Sequence, residues 1–302
     1  MRALRAIAGI TIQETLKQPT TWVLAVVAAV LMLLLPVLSL FAMAHGAALL
    51  KEMGLQTIAL ATIAITLFGA ANVVTRELEQ RTLLTLLAKP VTRAQLIAGK
   101  YLGLVLLNLA LGLLLGTLML GALVVYHATE RPGGSPVWES EFLALERETA
   151  EEFGVARDEV ETDTFGFLLT VGLRVAWVEL GAVAFGIYMA LWQMIILAAL
   201  LVAGSALLAP AANAVLAVVV FLAGHMHDTI SLAFAEGEAP AWLAAVLLAP
   251  IPNLRLYDIG EVFTREIPLP LELAAWGTLL GALYVTVYLA AGCAILARRD
   301  IG

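Results

Sequence analysis

The sequence predicts an all-α polytopic membrane protein with six transmembrane helices. Three observations carry this. The chain is 62% hydrophobic and 14% charged, with a mean hydropathy of +0.95; soluble domains are roughly half apolar and a quarter charged. Six apolar runs occur, at about residues 22–43, 57–74, 101–125, 178–201, 209–223 and 273–297, and a span needs about 20 such residues. Charge, finally, is segregated. Arg2, Arg5, Lys17, Arg76, Arg81, Lys89, Arg93, Lys100, Arg298 and Arg299, with Glu14, Glu77, Glu79 and Asp300, flank one side of a six-span arrangement, for a net of +6. The remaining seven basic and twenty acidic residues give −13. Basic residues are retained in the cytoplasm, so both termini and the segment 75–100 are expected there. An overall charge of −7 also argues against nucleic-acid binding.

Residues 1–20 read as an amphipathic helix at the membrane interface. Arg2, Arg5, Glu14 and Lys17 stand among apolar residues, with no short apolar core or small-residue cleavage site of a signal peptide. Pro19 is expected to end this helix, and Trp22 to anchor the first span. Residues 21–125 hold spans one to three, with a short outer loop at 45–56 and the charged segment at 75–100. Pro36 suggests a kink in the first span.

Residues 126–164 form an acidic extracytoplasmic insertion. It opens with Arg131-Pro132-Gly133-Gly134-Ser135-Pro136 and continues with helix-forming composition. It reads either as a solvated helical hairpin or as a docking surface for an external partner. Residues 165–302 hold spans four to six, with an extracytoplasmic cap at 224–272. The stretch 165–177 reads as an interfacial or re-entrant piece. Arg174 and Glu179 flank Trp177 and are expected to pair. Pro210 suggests a cytoplasmic turn and Asn213 a bond to a neighbouring helix. Five prolines between Pro240 and Pro270 make the cap a set of short pieces.

The segment 75–103, TRELEQRTLLTLLAKPVTRAQLIAGKYLG, is the most specific part of the chain. Glu77 and Arg81 are four apart in the favourable order. Leu83, Leu84, Leu86 and Leu87 give an apolar face. Lys89 suits a helix C-terminus, and Pro90 interrupts the helix. Thr92 and Gln95 have capping-box spacing and start the next helix. The expected arrangement is a surface helix over about 77–88, a sharp break and a second helix running into the third span.

These residues resemble a known family. Arg81-Thr82-Leu83 with Leu86-Leu87, then Pro90-Val91-Thr92-Arg93 and Gly99-Lys100-Tyr101-Leu102-Gly103, are similar to the cytoplasmic signature of ABC-2 type permeases. The ending Ala297-Arg298-Arg299-Asp300-Ile301 is similar to that family's end. Gly224-His225 and Pro252-Asn253-Leu254 resemble the NosY-like subgroup, labelled as involved in multicopper-enzyme maturation.

The resemblance implies a permease subunit of an ATP-driven transporter in the inner membrane of a prokaryote. It implies a second permease copy, with a homodimer expected, and a separate nucleotide-binding subunit that holds ATP and Mg. The coupling helix would sit in a groove of that subunit through Glu77, Arg81, Leu83, Leu84, Leu87, Pro90 and Arg93. An alternative role is a transmitter that carries no cargo and drives an extracytoplasmic protein. A self-contained secondary transporter would need ionisable groups within the spans, and their centres offer almost none.

No enzymatic site is expected in this chain. Gly99-Lys100 lacks the upstream glycine and following hydroxyl of a phosphate-binding loop. G-x-S-x-G and H-E-x-x-H do not occur. The single cysteine, Cys293, permits no internal disulfide. His45, His127, His225 and His227 all fall near the outer face, with Met43 and Met226 beside them, and imidazole and thioether suit copper. No metal site is expected, with His225 and His227 the residues nearest to one. Gly99/Gly103, Gly112/Gly116 and Gly277/Gly281 have small-xxx-small spacing, which permits close helix approach.

Overall fold

The computed structural model describes residues 2–39, 46–79, 92–129, 164–236, 241–260 and 271–298, and all statements below concern these. The elements are α1 (Arg2–Leu16), α2 (Pro19–Ser39), α3 (Gly46–Glu79), α4 (Arg93–Thr129), α5 (Thr164–Gly204), α6 (Pro210–His225), α7 (His227–Glu236), α8 (Ala241–Leu248), a 3-10 turn (Leu254–Tyr257) and α9 (Leu271–Arg298). No strand occurs among the described residues. Five helices, α2, α3, α4, α5 and α9, are long and apolar enough to span a membrane; α6 with α7, bent by 68°, makes a sixth if the pair is one span. The protein is thus a multi-pass α-helical membrane protein.

α5 is the centre of the bundle. It packs against α3, α4 and α9, while α2 lies on α3 and α4. In its most apolar window 72% of α5 is buried, against 28% for α2 and 17% for α9. The last two therefore turn most of their apolar surface outward, as lipid-facing helices do. Lipid tails are as apolar as leucine, so close packing must hold such helices together, and the glycines supply it. Gly54 packs on Met119 and Gly69 on Leu104, which sets α3 and α4 antiparallel. Gly112 meets Leu191 and Gly116 meets Ile187, which sets α4 and α5 antiparallel. Gly292 lies against the Ala203 backbone, 2.9 Å from where its own Cβ would be. The pair Gly277/Gly281 packs on Tyr257 and Trp192. All three glycine pairs noted in the sequence thus serve contacts within the chain.

Several boundaries differ from the sequence expectation. Pro19 starts α2 and does not end α1, whose last residue is Leu16. Proline suits a first helical turn, where its missing N–H has no partner to lose. Residues 46–56 are the first three turns of α3, not a loop. Residues 165–177 are not a separate re-entrant piece, because α5 runs unbroken from Thr164. Gly166 and Gly172 weaken a helix by about 1 kcal/mol each, which continuity with a long span offsets. Pro36 lies inside α2, three residues before its end. Pro210 does follow the turn that leaves α5, and Asn213 donates from Nδ2 to the Leu201 carbonyl at 2.8 Å.

Two apolar cores result. The larger spans the bundle and includes Met32, Ile58, Leu115, Met119, Met189 and Met194, each fully buried, and reaches Leu254 and Tyr257 beyond α8. The smaller gathers Ala70, Ile97, Leu104, Leu201, Val202, Ala206, Ala217 and Leu296. It joins the lower part of α3 and the start of α4 to the ends of α5 and α9 and the first half of α6. This end is the base; the opposite end, with α7, α8 and the 3-10 turn, is the cap.

Candidate functional site

Of the residues expected to couple to a partner, Glu77 lies on α3, and Arg93 is the first residue of α4. Arg81, Leu83, Leu84, Leu87 and Pro90 lie outside the described residues. Glu77 therefore stands on a direct continuation of the second span, and no break separates that span from the coupling segment before Glu79.

The capping box is formed as the sequence reads. The Gln95 N–H donates to Thr92 Oγ1 at 3.3 Å, and the Thr92 N–H donates to Gln95 Oε1 at 3.2 Å. Two otherwise unpaired donors at the start of α4 are satisfied at once. Thr92→Ala is expected to cost about 1 kcal/mol at this terminus. Amide exchange of the first turn of α4 should accelerate about fivefold, while the amides beyond Lys100 stay unchanged.

α1 is not laid loosely on the surface. Ile7, Ala8, Thr11 and Thr15 are buried. A Cβ on Gly99 would come 2.8 Å from Ile7 Cβ, and one on Gly103 would come 2.7 Å from the Ala8 carbonyl oxygen. Thr15 packs on Gly69 of α3. The Thr11 and Thr15 hydroxyls return to the carbonyls of Ile7 and Thr11, at 3.0 and 2.9 Å, so burial leaves neither unsatisfied. The join to α2 is fixed too: Thr21 Oγ1 donates to the Thr15 carbonyl and Trp22 Nε1 to the Leu16 carbonyl, both at 2.8 Å. Lys100, next to Gly99, is itself only 3% exposed.

At the cap end, Glu179 pairs with Lys51, Nζ to Oε2 at 2.8 Å. The side chain of Arg174, the partner expected from the sequence, lies outside the described residues; the pair seen joins α5 to α3 across 128 residues of sequence. Lys51 was legible only as a charge near a span boundary. Gln56 Nε2 donates to Asp258 Oδ1 at 2.9 Å, tying α3 to the segment after the 3-10 turn.

Tyrosines on α9 hold the proline-bearing strap before that turn. The Tyr288 hydroxyl donates to the Pro250 carbonyl at 2.6 Å, and that of Tyr284 to the Ala249 carbonyl at 3.2 Å. Gln193 Nε2 reaches the Leu254 carbonyl at 3.3 Å. Tyr257 donates back to the Gly277 carbonyl at 2.7 Å. Burial, with smaller contributions from Tyr284 and Tyr188, pushes its phenol up to about 12, so it remains a donor at neutral pH. Tyr188 and Thr278 share a further hydroxyl contact between α5 and α9. Sequence reasoning missed this fastening, although Tyr284 and Tyr288 stand one helical turn apart.

The motifs at Gly224-His225 and Pro252-Asn253-Leu254 meet in space. A Cβ on Gly224 would lie 2.7 Å from the Pro252 carbonyl oxygen, and Asn253 Nδ2 donates to Asp228 Oδ1 at 2.9 Å. α6 ends between the two histidines, at Met226. Yet His225 Nδ1 lies 3.0 Å from the Phe221 carbonyl, against whose ring it packs, and His227 Nδ1 is 3.8 Å from Asp228 Oδ1. No group of three His, Cys, Asp or Glu residues converges among the described residues. His45 lies outside them, and His127 is on α4.

The geometry places a capped helix start, a docked helix and a shared apolar core where the charged segment joins the spans. No curated protein matches the chain by sequence. Residues 15–144, which take in the first three spans and the charged segment between them, match the family model described as ABC-2 family transporter protein.

Proposed function

We propose that the chain is the transmembrane permease subunit of an ATP-driven ABC-2 type transporter. In this reading the base faces the cytoplasm of a prokaryotic cell and the chain sits in the inner membrane. A separate nucleotide-binding subunit holds ATP and Mg, and a second copy of the chain completes the pathway. The observation that carries it is the base core. Ala70 and Ile97, on the two helices that flank the charged segment, pack in one cluster with Leu201, Val202, Ala217 and Leu296. A push delivered between α3 and α4 therefore meets α5, α6 and α9 together. Packed helices have discrete arrangements and do not deform continuously, so such a push switches the bundle between states. The family match over the same segment and the +6 charge on that side support the orientation and the partner class.

Purification of the tagged chain in mild detergent should recover an ATPase bearing a phosphate-binding loop. Leu84→Asp or Arg81→Glu should leave membrane insertion intact and weaken the linkage between ATPase and permease roughly tenfold, within the usual range of coupling energies. A stable complex without any ATPase would overturn the reading. So would both variants coupling like the wild type.

A further inference from the structure

We propose that the outward face of α1 is a binding surface for anionic phospholipid headgroups, built onto the base of the bundle. The inner face of α1 is fixed by Gly99, Gly103 and Gly69, which admit its backbone closely. Its other face carries Arg5, Ile10, Gln13 and Leu16, all exposed, followed by exposed Lys17 and Trp22. Ile10 is 46% and Trp22 59% exposed. Basic and apolar residues on one face, with a tryptophan at its end, form the pattern of a helix lying at headgroup depth.

The depth follows from the fold. Lys17 and Gln18 form the only break between α1 and the spanning helix α2, which begins at Pro19. The indole N–H of Trp22 closes this corner on the Leu16 carbonyl. Lys17 thus stands at the membrane boundary, and α1 cannot swing away from it without breaking that bond and leaving the glycine cradle. Charge selects the occupant: a phosphodiester bearing a net negative charge complements Arg5 and Lys17, whereas a zwitterionic headgroup does so weakly. Each basic residue near an anionic surface contributes about a fivefold preference. Because α1 is rigidly seated on α4, lipid charge acts on the same helices that leave the charged segment. The inference needs only a multi-pass protein and no partner subunit.

The test uses the full chain in nanodiscs of phosphatidylcholine, with and without phosphatidylglycerol. Lipid competition read by native mass spectrometry should show phosphatidylglycerol retained in preference, less so at high salt. Arg5→Gln with Lys17→Gln should reduce that preference by roughly 25-fold, and Arg5→Lys with Lys17→Arg should keep it. The unfolding midpoint in pure phosphatidylcholine should be the same for all three proteins, which shows that the variants fold. An equal preference in the wild type and the double glutamine variant would overturn the proposal. Protection of Arg5 and Lys17 by a soluble protein, with no headgroup preference, would assign the face to that protein and overturn it equally.

Discussion

Gly103→Val is expected to unseat α1 and to destabilise the whole chain by about 3 kcal/mol, at the upper end of overpacking costs. A Cβ at this position would stand 2.7 Å from the Ala8 carbonyl oxygen and 2.8 Å from Thr11 Cβ. The first is a backbone atom on a regular helix, so no rotamer change can relieve it. α1 must move away as a body, and it then forfeits the packing of Ile7, Ala8 and Thr15. Hydrogen exchange at residues 7–15 should rise by about two orders of magnitude, and the unfolding midpoint should fall. Gly121→Val is the control, because nothing lies within 4 Å of its Cβ direction on the same helix. Equal behaviour of the two variants would show that α1 is not held by the glycine surface.

Lys51→Met is the second large effect expected. It leaves the Glu179 carboxylate, 15% exposed, without its 2.8 Å partner. Stranding a fully buried charge costs 3–5 kcal/mol. Partial access to solvent lowers this to about 2 kcal/mol here. Glu179→Gln should cost less, because the amide oxygen can still accept from the Lys51 ammonium. The exchange of both, Lys51→Glu with Glu179→Lys, should recover about half of the loss. A double-mutant cycle on the unfolding free energy measures the coupling. A coupling energy near zero would reduce the pair to a surface contact.

The sequence was legible where the determining contacts are local. Most of the spans follow from runs of apolar residues about as long as the bilayer requires or longer, and the Thr92–Gln95 box from a three-residue spacing. The cap as short pieces follows from proline density. Non-local choices were not legible. Glu179 pairs with Lys51 on α3, and pairing across helices depends on their register. The glycine spacing at Gly99 and Gly103 announced close packing without naming α1 as its occupant. α1 itself shows a weak apolar stripe, since threonines that return their hydroxyls to the backbone serve as part of its buried face. The unbroken start of α5 ran against its glycines, whose local penalty is small beside the length of helix they join. Of the coupling residues, the positions of Glu77 and Arg93 on their helices are established, and the leucine face between them lies outside the described residues.

The length of α5 has a mechanical consequence. Its 41 residues extend about 60 Å, twice the hydrocarbon thickness of a bilayer. The stretch Glu179–Gly204 is long and apolar enough to span a membrane, and the turns from Thr164 continue the same helix towards the cap end. The helix is held along its length, by the cluster around Leu201 and Val202 at the base, by Met189 and Met194 in the larger core and by Lys51 at Glu179. A tilt of about 10° about its base end would sweep its far end through about 10 Å and carry the helices packed on it along. A sub-helix-diameter adjustment at the base would arrive at the cap end as a displacement as wide as a helix.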